Sequence, residues 1–307
     1  MSELEQSAAA GRIAAPRPLL SQRLAERGID WTLLMLVPAL VFAVGLFVYP
    51  MLYGLRLSLS PEEGGRLANY ERFFRDPFFR DTIWLTARIA IPGLLINVLI
   101  ALPLAYRMRY MARGRRLATL ILIFPLTLGS VLLAKGLLNF LGGTGWLNRA
   151  LQSLGLIDEP IQLVHNYWGV LAAIILADFP FVFLLLLSYA SGIDPSYEKA
   201  AAVFGASPWR RFRLIMLPLL APGLAITAAL AFVLGFGVFP SAIMLGRPEG
   251  ETRTMGVAAY SEAFQQFDFP MATTIALLMA AIELIVIVIV LALRAKFAPT
   301  VGSGRKG

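Results

Sequence analysis

Six long apolar segments place the strongest constraint on how this chain folds. They cover residues 33–55, 82–106, 117–140, 168–190, 214–241 and 270–293. Each is close to the about 20 residues that an α-helix needs to cross roughly 30 Å of hydrocarbon. A peptide N–H or C=O group without a hydrogen-bond partner is very costly in hydrocarbon, and an α-helix pairs these groups within the segment itself. The sequence therefore predicts an all-α integral membrane protein with six transmembrane helices.

The composition narrows the chemistry that this chain can perform. It is 58% hydrophobic and 15% charged, with a mean hydropathy of +0.72, whereas soluble domains are near half apolar and a quarter charged. There is no cysteine, which excludes disulfides and thiolate metal sites. His165 is the single histidine, so neither a histidine-rich metal site nor a membrane-embedded enzyme with clustered catalytic histidines is expected. We expect no metal and no cofactor in this chain.

The basic residues predict the orientation. Of 27 lysines and arginines, 17 lie in the N-terminal tail, the 107–116 loop, the 190–213 segment and the C-terminus. The alternate loops hold 8, and the remaining two fall inside spans. The positive-inside rule then places both termini of this multi-pass protein in the cytoplasm. The net charge of +8 is explained by this topology, so no nucleic-acid partner is expected.

The ends of the predicted spans divide the chain into three regions. Residues 1–31 are predicted to be a cytoplasmic tail, residues 32–295 the transmembrane domain, and residues 296–307 a second cytoplasmic tail. The first apolar run lacks a small-residue cleavage site soon after it, so we expect an uncleaved anchor.

A polar segment, YEKAAAVFGASPWRRFRLIMLPLLAP from Tyr197 to Pro222, interrupts this apolar chain. Asp194 followed by proline is a typical helix start, and Gly205 is a typical stop. Ser207 and Pro208 repeat the start signal. The first helix, over 195–204, is too short to be stable alone in water. It needs a surface, either a groove on a partner protein or lipid headgroups anchored by Trp209.

The same segment resembles a known motif. Its spaced residues are Ala200, Ala201, Gly205, Ala206, Ser207, Phe212, Ile215, Leu217, Pro218 and Pro222. They are similar to the EAA motif in permease subunits of binding-protein-dependent type I ABC importers. The stretches NYERFFRDPFFRDTIWLTARIA and GWLNRALQSLGLIDEPIQLVHNYWGV resemble the polyamine, ferric-iron and phosphonate branch of that family. The later TRTMGVAAYSEAFQQFDFPMATTIALLM also has some similarity to sugar permeases.

This resemblance implies a coupling helix within about 194–213 that inserts into a groove on a cytoplasmic ATPase. The implied coupling residues are Glu198, Lys199, Ala200, Ala201, Gly205, Ala206, Ser207 and Pro208. The implied partners are an ABC ATPase dimer that binds ATP and Mg²⁺, a second homologous permease, a soluble binding protein and membrane lipid. The chain would form half of the path for a polyamine, opine, phosphonate or similar organic ion, with a sugar as the alternative.

One position departs from the motif. The family glutamate lies six residues before the glycine, where this chain has Lys199, and Glu198 precedes it by one residue. The two side chains are about 100° apart around a helix. Either Glu198 replaces the usual carboxylate, or Lys199 reverses the contact toward an acidic residue of the ATPase.

The chain lacks the elements for hydrolysing ATP itself. No Gly-Lys pair occurs, so the phosphate-binding P-loop is absent. An ATP-driven transporter would need its motor on another polypeptide. The alternative, an ATPase-independent secondary transporter, predicts inverted repeats with paired broken helices, and the sequence shows no convincing internal repeat.

Four charged residues fall inside the predicted spans, namely Arg88, Lys135, Asp178 and Glu283. Charges that face lipid near the bilayer centre cost a few kcal/mol or more, so these should face the bundle or water. Asp178, Glu283 and Lys135 are candidates for the translocation path, with the two carboxylates guiding a cationic substrate. The alternative is two interhelical ion pairs that stabilise packing.

Overall fold

The structure is a computed structural model that describes residues 31–61, 63–111 and 114–297. Every regular element in these ranges is helical. The helices are α1 Trp31–Ser58, α2 Ala68–Arg75, α3 Pro77–Met108, α4 Arg115–Thr127, α5 Gly129–Leu141, α6 Trp146–Ser153, α7 Tyr167–Gly192, α8 Ser196–Val203, α9 Pro208–Arg211, α10 Leu217–Phe236, α11 Pro240–Leu245, α12 Met255–Phe264 and α13 Phe269–Phe297. The predicted tails lie almost entirely outside the described residues.

The chain divides into two units, residues 1–53 and 54–307. Helix α1 contributes most of its length to the first unit, and no described side chain from Met35 to Tyr53 is buried. The second unit contains a helical core in which α3, α7 and α10 pack together. Its buried residues include Ala101, Phe183 and Leu186.

Helices α3 and α7 run in the same direction. Near the start of α7 the Tyr167 hydroxyl donates to the Arg88 carbonyl of α3 at 3.0 Å. Just past their ends, Arg109 donates to the Ile193 carbonyl at 2.9 Å. We call this second end, where both helices finish, the basic end of the bundle. Two parallel spans require the chain between them to return across the membrane.

That return is made by a broken helix. Helix α4 and the segment that begins at Gly129 meet at 98°. Gly129 has a φ of 71°, a left-handed conformation that suits glycine, and Pro125 precedes the break by four residues. The predicted third span over 117–140 is therefore bent, because the chain turns between Thr127 and Gly129. Among the described residues, five helices are long and apolar enough to cross a membrane, and the bent pair, counted as one span, brings the number to six.

The other spans agree with their predicted positions but differ at their ends. Helix α3 starts at Pro77, five residues before the predicted limit, because the Asp76 carboxylate accepts a hydrogen bond from the Phe78 N–H at 2.8 Å. Helix α10 ends at Phe236, whereas the predicted fifth span extended to 241. A π-helical turn over Phe212–Met216 precedes it, next to Pro218, which lacks an N–H.

Close packing of α10 against α7 depends on Gly223. A Cβ at this position would overlap the ring of Tyr189, whereas a Cβ on Gly136 in α5 would meet nothing within 4 Å. Overpacking typically costs about 1–3 kcal/mol. We expect Gly223→Ala to lower the thermal midpoint of the purified protein. Gly136→Ala should leave the midpoint unchanged or raise it, because alanine favours helix. Equal midpoints for the two variants would contradict this packing.

Candidate coupling site

Helix α8 begins and ends with local signals in its own sequence. At its start, the Asp194 carboxylate accepts a hydrogen bond from the Ser196 N–H at 2.8 Å, and this bond lowers the pKa of Asp194. At its end, Gly205 has a φ of 78°. The Gly205 N–H donates to the Ala202 carbonyl and the Ala206 N–H to the Ala201 carbonyl, both at 3.0 Å. These two bonds form a Schellman motif. The predicted helix stop at Gly205 is confirmed.

The second short helix also starts as predicted. Ser207 is its N-cap, with its hydroxyl 3.4 Å from the Arg210 N–H, and Pro208 occupies the first turn. Helix α9 then continues through the π-helical turn into α10. The segment from Asp194 to Arg211 is thus two short helices joined by a tight turn, connected directly to two membrane spans.

The Glu198 side chain points inward, where four groups meet. The Tyr106 hydroxyl donates to one of its carboxylate oxygens at 2.6 Å, and the Tyr110 hydroxyl donates to the other at 2.6 Å. Arg109 donates to that second oxygen at 3.1 Å. The Arg109 and Glu198 side chains are only 3% and 5% exposed. We call Glu198, Arg109, Tyr106 and Tyr110 the clasp.

Arg109 connects the clasp to the ends of two further elements. Its guanidinium donates to the Ile193 carbonyl after α7 at 2.9 Å and contacts the Met216 sulfur before α10 at 2.8 Å. Burial and the hydrogen bond to Glu198 raise the pKa of Tyr110 to about 12. Tyr110 therefore stays protonated at physiological pH and remains a donor. The clasp joins α8 to α3, α7 and α10 at the basic end.

The opposite face of this segment is exposed. Lys199 and Ala200 point outward, and Val203 and Phe204 are 85% and 91% exposed. Tyr197 and Trp209 extend the apolar surface. We call Tyr197, Val203, Phe204 and Trp209 the docking face. The predicted coupling residues thus separate: Glu198 points inward, Ala201 and Ala206 are half-buried, and Lys199, Ala200, Gly205, Ser207 and Pro208 are exposed.

The four charged residues predicted within spans do not come together. None forms an ion pair with another in the described part of the chain, so the two interhelical pairs are not formed. Arg88 lies level with the start of α7, with its guanidinium 5.0 Å from the centre of the Tyr167 ring. Lys135 is exposed on α5, and Asp178 and Glu283 are half-buried.

Sequence reasoning missed three of the four clasp residues. Tyr106 ends the predicted second span, and Arg109 and Tyr110 stand in the 107–116 loop, whose basic residues predict only the orientation. Their spacing of three and four residues places them on one side of a helical turn. The sequence Tyr106-Arg107-Met108-Arg109-Tyr110 places two arginines between these tyrosines, so it identifies neither the arginine that is buried nor the carboxylate that it meets.

Comparison with known proteins gives the class of this chain. Residues 93–303 match the family model for the inner membrane component of binding-protein-dependent transport systems. The chain belongs to this family. It is a permease subunit of an ABC importer in the inner membrane, a transport subunit and not an enzyme.

Individual relatives differ in what they are named for. A probable ABC transporter permease protein of Brucella abortus is 29% identical over 276 residues, covering 83% of this chain and 93% of that protein. The spermidine/putrescine permease PotB of Haemophilus influenzae is 27% identical, covering 68% and 76%. Other relatives are named for sulfate and trehalose. A bacterial alginate ABC transporter chain, solved with an alginate-bound periplasmic protein, has a TM-score of 0.77, 20% identity and coverage of 90% and 98%.

The clasp predicts a specific pattern of stabilities. Glu198→Ala leaves Arg109 buried without its partner, and breaking a buried ion pair in this way costs about 3–5 kcal/mol. We expect a correspondingly earlier unfolding transition in mixed micelles with increasing dodecyl sulfate. Arg109→Met combined with Glu198→Leu should recover part of the loss. Lys199→Ala, one residue away and exposed, is the control and should unfold like the unmodified protein. A Glu198→Ala variant as stable as that control would refute the clasp.

Proposed function

We propose that this permease couples ATP hydrolysis on a cytoplasmic ABC ATPase dimer to solute import by seating its docking face in a groove on the ATPase. The observation that supports this most directly is the exposure of Val203 and Phe204 at the turn between α8 and α9. Large apolar side chains gain about 25 cal/mol for each Å² removed from water. ATP and Mg²⁺ would bind the ATPase, since this chain contains no P-loop.

The geometry favours Lys199 over Glu198 as the residue that contacts the ATPase. Both Glu198 carboxylate oxygens already accept hydrogen bonds within the chain. Lys199 is exposed beside the docking face. We therefore assign Glu198 to positioning the coupling helix and Lys199 to the ATPase, where an acidic residue would match it.

The clasp gives this segment a mechanical role. A helix of eight residues is not stable in isolation, and the clasp fixes it to the ends of three membrane helices. Movement of the ATPase subunits would then reach α3, α7 and α10 together. This placement also supports cytoplasmic termini, because the basic end must face the ATPase.

The wider assembly follows from the same proposal. Six helices of one chain form half of a path, so a second homologous permease completes it, and a soluble binding protein delivers the solute. We propose a small organic ion as substrate, of either charge because relatives are named for the cations spermidine and putrescine and for the anion sulfate, and a sugar as the second candidate because of the trehalose relative. Asp178 and Glu283 remain proposed path residues. Their half-buried carboxylates have no ion-pair partner among the described residues.

Phe204 provides the test of docking. Phe204→Ser removes the most exposed apolar side chain of the docking face and should weaken ATPase binding by about 30-fold, the effect of a 2 kcal/mol interface anchor. Co-purification of the ATPase with the tagged permease measures this loss. Phe264→Ser, an exposed phenylalanine on α12 away from the basic end, is the matched control. Equal ATPase recovery with both variants would refute the docking face.

Substitutions at Gly205 test the backbone geometry of the turn separately from side-chain contacts. A Cβ there would meet nothing within 4 Å, so only its φ of 78° opposes substitution. Valine in this conformation costs at least about 1–2 kcal/mol, whereas asparagine tolerates it. We expect Gly205→Val to reduce substrate-stimulated ATP hydrolysis and uptake, with normal membrane insertion. Gly205→Asn should retain both. If Gly205→Val transports normally, the turn is not needed for coupling.

A further inference from the structure

A cavity of about 680 Å³ opens at the end of the bundle opposite the clasp. It lies between α5, α11, α12 and the first turn of α3. Its walls are mainly apolar and aromatic, formed by Val131, Phe239, Ile243, Met244, Val257 and Tyr260. The volume falls within the range of about 300–1,000 Å³ that is usual for small-molecule sites. The cavity therefore has room for a small ligand with an apolar body.

Arg253 supplies a positive charge to this cavity and forms no ion pair within the described residues. Its guanidinium lies over the Phe78 ring, 3.7 Å from the ring centre. Its Nε is buried and has no hydrogen-bond acceptor in the described residues. Burial lowers the pKa of Arg253. A partly desolvated guanidinium without an acceptor is costly, and an anionic ligand would compensate it.

The charged residues that line the cavity are Arg247, Arg253 and Glu249, which give the lining a net charge of +1. Arg247 also lines it and takes part in no ion pair within the described ranges, and Glu249 is the single carboxylate in the lining. Asp76 and Asp81 attract Arg253 from outside the lining. Asp76 caps α3, and Asp81 pairs with Arg80 at 3.3 Å.

A third positively charged residue, Lys135, lies on the broken span. Val131 of α5 lines the cavity, and Lys135 follows it by four residues, one helical turn further on. Lys135 is exposed on its own chain. Because a lysine that faces lipid inside the membrane is costly, Lys135 must face protein or water. Neither Asp178 nor Glu283 lines the cavity.

We propose that this cavity binds the oxyanion group of a small transported solute, a carboxylate, sulfonate or phosphonate, with Arg253 as its main ligand. Arg247 provides a second positive charge, and the apolar walls hold the carbon body. The assignment of the ligand as a transported solute rests on the proposed function, because this end of the bundle is the one that a binding protein would meet. It narrows the proposed organic ion to an anion.

A series of four probes with one shared ring tests the charge preference. The probes are benzoate, phenylphosphonate, benzyl alcohol and benzylamine, applied to the full complex in nanodiscs and measured by saturation-transfer NMR. We expect both anions to bind more tightly than the alcohol, and the amine to bind most weakly. Arg253→Gln should weaken anion binding by about tenfold or more, the value of a charge-assisted hydrogen bond. Arg253→Lys, which retains the charge, should lose less.

Arg75→Gln is the matched control. Arg75 is an exposed arginine that pairs with Glu71 and does not line the cavity, so anion binding should persist. Equal or tighter binding of benzylamine would overturn the proposal in favour of a cation path at Asp178 and Glu283. Anion binding that survives Arg253→Gln, or benzyl alcohol binding as tightly as benzoate, would also overturn it. A complex that retains its ATPase but fails here refutes only this inference, whereas an unmodified chain that recovers no ATPase refutes the proposed function.

Discussion

Hydrocarbon offers no hydrogen bonds to a peptide group, and most of this structure depends on that constraint. Each candidate span in the described residues is helical, and its departures from regular α-helix include the bend at Gly129 and the π-helical turn before α10. Polar chemistry is correspondingly concentrated at the two ends of the bundle. The clasp occupies one end and the cavity with Arg253 the other, so the two functions proposed for this chain are separated by the length of its membrane helices.

The basic end shows how a short helix becomes a rigid part. Helix α8 has too few residues to persist alone, yet a carboxylate, a guanidinium and two phenols hold it against the spans. A buried ion pair adds little net stability compared with apolar packing, but it strongly penalises alternative positions that leave either charge unpaired. The arrangement therefore favours a defined position of the helix over maximal stability, which agrees with its proposed role in transmitting movement of the ATPase.

Much of this architecture could be predicted from the sequence, because its signals are local. Apolar length predicts the spans, Gly205 predicts the helix stop, and Ser207 with Pro208 predicts the restart. The bend at Gly129 escaped prediction because one glycine in an apolar run does not reveal its φ. The clasp and the unpaired Arg253 escaped for another reason. The residues that meet there lie far apart in the sequence, as do Arg109 and Glu198 or Arg253 and Phe78, and only the packed bundle brings them together.

The inward direction of Glu198 has a consequence for which positions could change under the proposed ATPase docking. Position 198 is tied to residues of its own chain, so a change there must be matched by Arg109, Tyr106 or Tyr110. Lys199, Val203 and Phe204 are exposed instead of being held by these hydrogen bonds. If an ATPase from a related system is to drive this permease, we expect positions 199, 203 and 204 to decide whether the two proteins are compatible. The clasp residues could then stay the same while the residues that contact the ATPase change.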